Sequence, residues 1–401
     1  MVRSLFFNFQ IFKFFIYLYY IKNIMTDLSP SLRYHLVNPQ SIKSGYTEFD
    51  NVDFLIAVGP NRSLVQNSVR ICGDVAIESA TNVRSTGGRL FDQRVGGHAF
   101  IESLQVNSSS NGMLENIGNS YARYVSMAGV ASLSDNDYCN AKHVCELKGA
   151  NENVMIKYAN GIAPTLTTAT AIIADADFSI KPMCALNKMV GGNLPFNTSG
   201  TITLTINLAR NMSALYGTLQ DAASRYVLSN LRVTFNSVPD SKMPQQISMR
   251  TIHSVKSNIL SGSATVSVNV NAVCDAVSIS VLKQANENVP IENNYALEHI
   301  KDFNQVQYLF NSQTNSLVTY RIQDQTEVLQ RFIDSMYDSG HNQAALSKFR
   351  GNNGWGMGLS FDDQVDLSRN TFTMELESGV GSGAANVPYA IWFYFHSSIS
   401  L

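Results

Sequence analysis

In the stretch TSGTITLTINLARN, residues 198–211, Ile202, Leu204, Ile206 and Leu208 alternate without a slip with Thr201, Thr203, Thr205 and Asn207. Successive side chains of an extended strand point to opposite faces, so this period of two predicts a strand with one face in a core and the other toward water. The pattern returns in SATVSVNVNAV, residues 263–273, where Ala264, Val266, Val268 and Val270 alternate with Thr265, Ser267, Asn269 and Asn271. Shorter runs of the same kind recur: VDFLIAVG (52–59), SVRICGDVAIES (68–79), HAFIESLQVNSS (98–109), DFSIKP (177–182) and YVLSNLRVTFNSV (226–238). AVSISVL, LVTYRI and NTFTMEL continue the series, with Gly, Pro, Asn, Asp and Ser as punctuation. Many short strands separated by turn residues predict an all-β fold. A chain of 401 residues exceeds one core and fits two domains of about 150 to 200 residues each, so two tandem β-sandwiches are expected. The change-over is expected near ALYGTLQDAAS (214–224), giving an arm over 25–49, a first sandwich over 50–215 and a second over 220–401.

The final stretch, VPYAIWFYFHSSISL (387–401), breaks the one-faced rule. As a strand it puts Tyr389, Ile391, Phe393 and Phe395 on one face and Ala390, Trp392, Tyr394 and His396 on the other, and neither face is polar. A strand that is apolar on both sides is covered on both sides. One cover is its own core; the other is a second domain, a neighbouring subunit or a membrane.

Two segments carry helical spacing instead. MLENIGNSYARYVSMAGVAS (113–132) places Leu114, Ile117, Tyr121, Tyr124, Val125 and Ala128 on one side, and DQTEVLQRFIDSMYDSG (324–340) does so with Val328, Leu329, Phe332, Ile333, Met336 and Tyr337. Asp324 is the expected cap of the second helix and Gly340 its stop. Both stripes are expected to pack on the sandwiches and not to receive a partner.

Charge and cysteine content exclude several functions. Lys+Arg number 29 against 31 Asp+Glu, for a net charge of -2, so no long-range field draws in a phosphate backbone. Lys181, Lys188 and Arg210 are diluted among apolar and Asn/Ser/Thr residues and form no basic arm, which argues against direct sequence-specific binding of nucleic acid. The 5 cysteines, Cys72, Cys139, Cys145, Cys184 and Cys274, are odd in number and scattered, as expected of free buried thiols. Cys139, His143 and Cys145 offer metal-ligand chemistry, but no second pair completes a tetrahedral set, so no metal is expected. The sequons at Asn61, Asn107, Asn197 and Asn211 are read as chance.

No pattern specifies an active site. GVGSGAA (379–385) leads into a strand and opens no helix, so it lacks the dipole and free amides that hold a phosphate. Asp362 and Asp363 are adjacent, which sends them to opposite faces of a strand and prevents a shared acid–base role. The histidines have no Ser or Cys in a nucleophile turn beside them, and His396 between aromatics reads as a satisfied core or interface residue. No catalytic, cofactor-binding or metal-binding residue is assigned, and the chain is not expected to be an enzyme.

Residues 1–24, MVRSLFFNFQIFKFFIYLYYIKNI, differ from everything after them. Their Phe, Ile, Tyr, Lys and Asn are what AT-rich DNA encodes by default, and Met25 opens an ordinary soluble start, MTDLSPSLRY, so they read as an untranslated leader. A membrane anchor, interrupted by Arg3, Asn8, Gln10 and Lys13, and a structural helix are the other readings.

The order ENIGNSYARYVSM, CELKG, DFSIKPMCALN, GGNLPFNTSGTITLTINLARNMSALYG, YVLSNLRVTF and PYAIWFYFHSSISL resembles the double jelly-roll major capsid proteins of tailless icosahedral double-stranded DNA viruses, most of all those of polinton-like viruses and virophages. The likeness runs from about residue 50 to the end. Its most specific pieces are Phe178 to Pro182, Leu208 to Asn211, and Pro388-Tyr389 followed by Phe395-His396. It implies two eight-stranded jelly rolls side by side and three chains in a capsomer of pseudo-six-fold outline. It also implies a place in the virion shell, with neighbouring capsomers and minor or penton capsid proteins as partners, and leaves contact with a membrane open. No cofactor is implied. The competing readings are a single jelly-roll minor or vertex capsid protein, a carbohydrate-binding β-sandwich and a membrane-anchored surface protein.

Overall fold

The computed structural model describes residues 32–78, 90–92, 95–132, 155–156, 176–216, 224–241, 246–259, 264–289, 294–295, 297, 303–310, 320–338, 356–378 and 388–401. The first half holds β1 (Arg33–Val37), β2 (Asn51–Ile56), β3 (Arg62–Leu64), β4 (Arg70–Glu78), β5 (Leu90–Asp92), β6 (Ile101–Ser108) and β7 (Gly112–Ile117). Helix α1 (Tyr121–Ser132) follows, then β8 (Met155–Ile156), β9 (Ala176–Ile180), β10 (Met189–Val190), β11 (Leu194–Pro195), β12 (Ile202–Leu208), β13 (Leu215–Tyr216) and β14 (Arg225–Pro239). The second half holds β15 (Ser248–Ile259), β16 (Ala264–Val268), β17 (Val273–Lys283), β18 (Phe303–Phe310), β19 (Tyr320–Ile322), helix α2 (Gln325–Asp338), β20 (Met357–Asp366), β21 (Phe372–Ser378) and β22 (Tyr389–Ser400).

Both halves are wound the same way. In the second, the eight strands in chain order form one sheet β15-β22-β17-β20 and another β16-β21-β18-β19, so the eighth strand lies between the first and third and the seventh between the second and fourth. In the first, the principal strands repeat that order as β1-β14-β4-β9 and β2-β12-β6-β7, with β3 and β11 as additions beside β14. This is the jelly-roll winding, present twice. A single jelly roll, the nearest competing reading, does not fit.

Strand pairing moves the expected boundaries. β14 pairs with β4, β3 and β1, so residues 225–239 complete the first sandwich and do not open the second. β1 pairs with β14 through Arg33–Ser237 to Val37–Val233, which takes it out of the arm. We therefore place the division after Pro239. A period-two pattern marks a strand but not its partner, and the partner of β14 lies more than a hundred residues earlier in the chain. The expected helix over 113–132 is also shortened: residues 112–117 form β7, paired with β6, and α1 starts only after Ser120 turns the chain with a φ of 50°. Leu114 and Ile117 are three apart, a spacing that a strand with an intervening buried residue satisfies as well as a helix does.

Elsewhere the alternation reads true. β12 buries Ile202, Leu204, Ile206 and Leu208 and leaves the threonines between them half-buried. Asp324 caps α2, accepting the Glu327 N–H at 2.8 Å, and Val328, Phe332 and Met336 are buried. α2 lies so close to β20 that a Cβ on Gly358 would stand 2.3 Å from the Ser335 Oγ. Gly340 and the segment 379–385 lie outside the described residues. No helix among the described residues is long and apolar enough to cross a membrane.

Two cores result. One belongs to the second sandwich alone, with Val277, Ile279, Tyr308, Phe361, Phe372 and Met374 among its members. The other fills the first sandwich and continues past it to Leu282, Phe332, Met336, Ala390, Trp392 and Tyr394 of the second half.

Candidate functional site at the seam of the sandwiches

The two halves meet along β7 and β15, which join the sheets β2-β12-β6-β7 and β15-β22-β17-β20 into one nine-stranded sheet that also takes in β10. The ladder there is minimal. β7 and β15 share a single parallel register pair, Asn116 with His253, and β10 adds Met189–Met249 and Val190–Ser248. Side chains supply what the backbone lacks. Glu115, fully buried on β7, accepts the Ala185 N–H at 2.7 Å from the first half and the Ile252 N–H at 3.0 Å from β15. One carboxylate thus holds both sandwiches. Burial pushes its pKa up, opposed by the charge of Lys188 and by the two N–H donors. Lys188 donates to the Tyr124 hydroxyl at 2.9 Å, and burial pushes its ammonium down, against the pull of Glu115.

Helix α1 is the second joint. Tyr121, Tyr124, Val125 and Ala128 are buried, as its stripe predicts, and their cover includes the even-numbered face of β22. The Tyr124 and Tyr394 rings lie 5.3 Å apart, and the Tyr394 hydroxyl donates to the Ser120 carbonyl at 2.9 Å. Arg123 is buried with its guanidinium 4.3 Å over the Trp392 ring. Ser126 donates to the Tyr295 carbonyl at 2.9 Å, and the Tyr295 hydroxyl donates back across the seam to the Ala99 carbonyl at 2.9 Å. The cover that the terminal strand requires on its second face is therefore the first sandwich. These aromatic and hydrogen-bonded contacts fix the angle between the halves.

The residues weighed from sequence fall as follows. His396 is buried, and its Nε2 lies 2.8 Å from the Ser278 Oγ, a satisfied core position. Cys72, Cys184 and Cys274 are buried free thiols, and burial pushes Cys184 and Cys274 up to about 12, which keeps them unreactive. Asp362 and Asp363 are neighbours on β20, and Asp363 is exposed. Cys139, His143 and Cys145 lie outside the described residues. Among the described residues no three metal-ligating side chains gather. Sequence reasoning missed Glu115: a single charge inside a short apolar run carries no periodic signal.

No family model matches this sequence, and no curated protein matches it. Solved structures do. The capsid of PBCV-1 virus aligns with 92% of this chain and 94% of its own at 10% identity, with a TM-score of 0.58. The Faustovirus major capsid protein aligns with 92% of this chain and 90% of its own at 7% identity, also at 0.58. The fold is thus the double jelly roll of viral major capsid proteins, over nearly the whole chain.

Proposed function

We propose that the protein is the major capsid protein of an icosahedral double-stranded DNA virus, and that three copies form a capsomer with pseudo-six-fold outline. The observation that carries this is the duplicated winding: two sandwiches of identical strand order, fixed side by side by a dedicated seam, in a chain whose fold matches capsid proteins along about nine-tenths of its length. Three such blocks around an axis present six similar sandwiches, and closure by a heterologous contact gives a ring. The role is structural and needs no catalytic residue. The finer likeness to capsid proteins of polinton-like viruses and virophages rests on the order of sequence motifs, as do the virion location and the minor and penton capsid proteins as partners. A near-neutral chain suits a shell that encloses a genome without condensing it. Native mass and negative-stain outline of protein expressed from Met25 test the reading: a trimer with hexagonal profile is expected, and a stable monomer at micromolar concentration would overturn it.

A further inference from the structure

A cleft of ≈ 540 Å³ opens where the sandwiches meet, and five charged side chains line it: Glu102 of β6, Arg123 of α1, Arg210 after β12, Lys256 of β15 and Glu287 after β17. Two of the three cations are engaged within the chain. Arg123 lies over Trp392 and donates to Ser280, and Lys256 pairs with Glu287. Arg210 is exposed, and its guanidinium makes no hydrogen bond or ion pair with the described residues; it lies 5.5 Å over the ring of Phe49. Glu102 faces the same cleft but accepts the Ser120 N–H at 3.1 Å, and burial pushes its carboxyl up despite Lys256, Arg123 and Arg210 nearby. Three cations against two carboxylates leave the lining with one net positive charge, while the Glu48 carboxylate, which accepts the Asn211 N–H at 2.8 Å, lies behind Arg210.

Phe49 is an independent sign. Its φ of 68° is left-handed, a conformation that bulky residues avoid, yet its ring is 66% exposed. The ring stays at the surface, beneath the Arg210 guanidinium. The Phe49 N–H, bonded to the Leu208 carbonyl at 3.1 Å, pins the residue at the rim.

We propose that this cleft receives an acidic segment of a partner protein, with a carboxylate on Arg210 and an apolar neighbour against the ring of Phe49. A free small anion uses the guanidinium but has no use for the exposed ring, which is why a peptide is the better fit. The net charge of -2 gives the whole molecule no attraction for an acidic chain, so binding has to arise locally. All the groups belong to one copy, and the inference therefore stands or falls apart from the trimer.

The probe is a fluorescein-labelled peptide of five glutamates around one phenylalanine, followed by anisotropy with the full-length protein. Saturable binding is expected, with one peptide per chain. Arg210→Ala is expected to weaken it about tenfold, the cost of one charge-assisted hydrogen bond. Phe49→Gly is expected to weaken it too while leaving the melting temperature equal or higher, because glycine is at ease at positive φ. That pairing of gained stability with lost binding is what a merely structural ring would not give. Absence of saturable binding, equal binding by Arg210→Ala, or a lower melting temperature with intact binding in Phe49→Gly would each overturn the proposal. Citrate competing as tightly as the peptide would also overturn it, in favour of a free polycarboxylate.

Discussion

On its odd-numbered face β22 sends Tyr389, Ile391, Phe393 and Phe395 into a core that belongs only to the second sandwich, where the Phe372 ring meets Phe393 at 6.1 Å and Phe395 at 5.5 Å, both edge-on. On its even-numbered face Ala390, Trp392 and Tyr394 enter the core of the first sandwich, and here Tyr394 and His396 each carry a bonded polar tip. The contrast follows from what already fixes the geometry. Within the second sandwich β22 is laddered to β15 and β17 along nearly its whole length, so register is set and apolar packing suffices. Between the sandwiches there is little ladder, and shape-tolerant apolar contact would allow them to slide. Directional bonds from Glu115, Tyr394 and Tyr295 do the aligning.

Removal of residues 389–401 abolishes both faces at once and is expected to have the largest effect. The five aromatic side chains of this strand each contribute roughly 1.5 to 3 kcal/mol by burial, together on the order of 10 kcal/mol, which is the net stability of a domain. The truncated chain should be insoluble; a folded, sizeable oligomer by circular dichroism and size exclusion would break the comparison outright. Phe393→Ala damages one face only and should cost about 3 to 5 kcal/mol in denaturant melts, against about 0.5 kcal/mol or less for Ser400→Ala at the half-solvated end of the strand.

Acid should separate the two cores. His98 is buried beside α1, its Nδ1 lying 3.0 Å from the Tyr121 hydroxyl, and burial holds its pKa down to about 3. A histidine depressed in the fold takes up protons first in the unfolded chain. Its contribution is complete above the unfolded pKa of about 6.5 and is lost as pH falls toward about 3. At pH 5 the loss is about 2 kcal/mol, and urea melts of the parent and of His98→Gln at pH 7 and pH 5 should converge by that amount. The loss falls on the first sandwich, while the aromatic core of the second should hold. A smaller effect than that of acid is expected for Tyr394→Phe, about 1 kcal/mol for one hydrogen bond. Calorimetry is the sharper readout, since a seam held by directional bonds should then begin to resolve into two transitions.

The strands most visible in the sequence are those with one wet and one dry side, such as β12, and β22 was legible through its excess of apolar residues. β15 was not. Arg250, His253 and Lys256 interrupt its alternation: Lys256 lies over Trp392, and Arg250 pairs with Asp275 on the neighbouring β17. β7 was hidden for a related reason, since Glu115 puts a carboxylate where a core position belongs. The seam is thus the part of the fold least readable locally, because its polar residues find their partners far along the chain. The fold class survived this, since it depends on the number and period of strands and not on which ones pair.

The position of β22 in the sheet also sets an order of events. It is the last of these strands to leave the ribosome, yet it lies between β15 and β17 and contributes to both cores. Until it arrives, the edges of β15 and β17 stand open and the first sandwich lacks the aromatic cover of α1. Neither half is complete without it. A partly synthesised chain therefore completes neither sandwich, and in the proposed shell the timing of this single strand would keep short copies out.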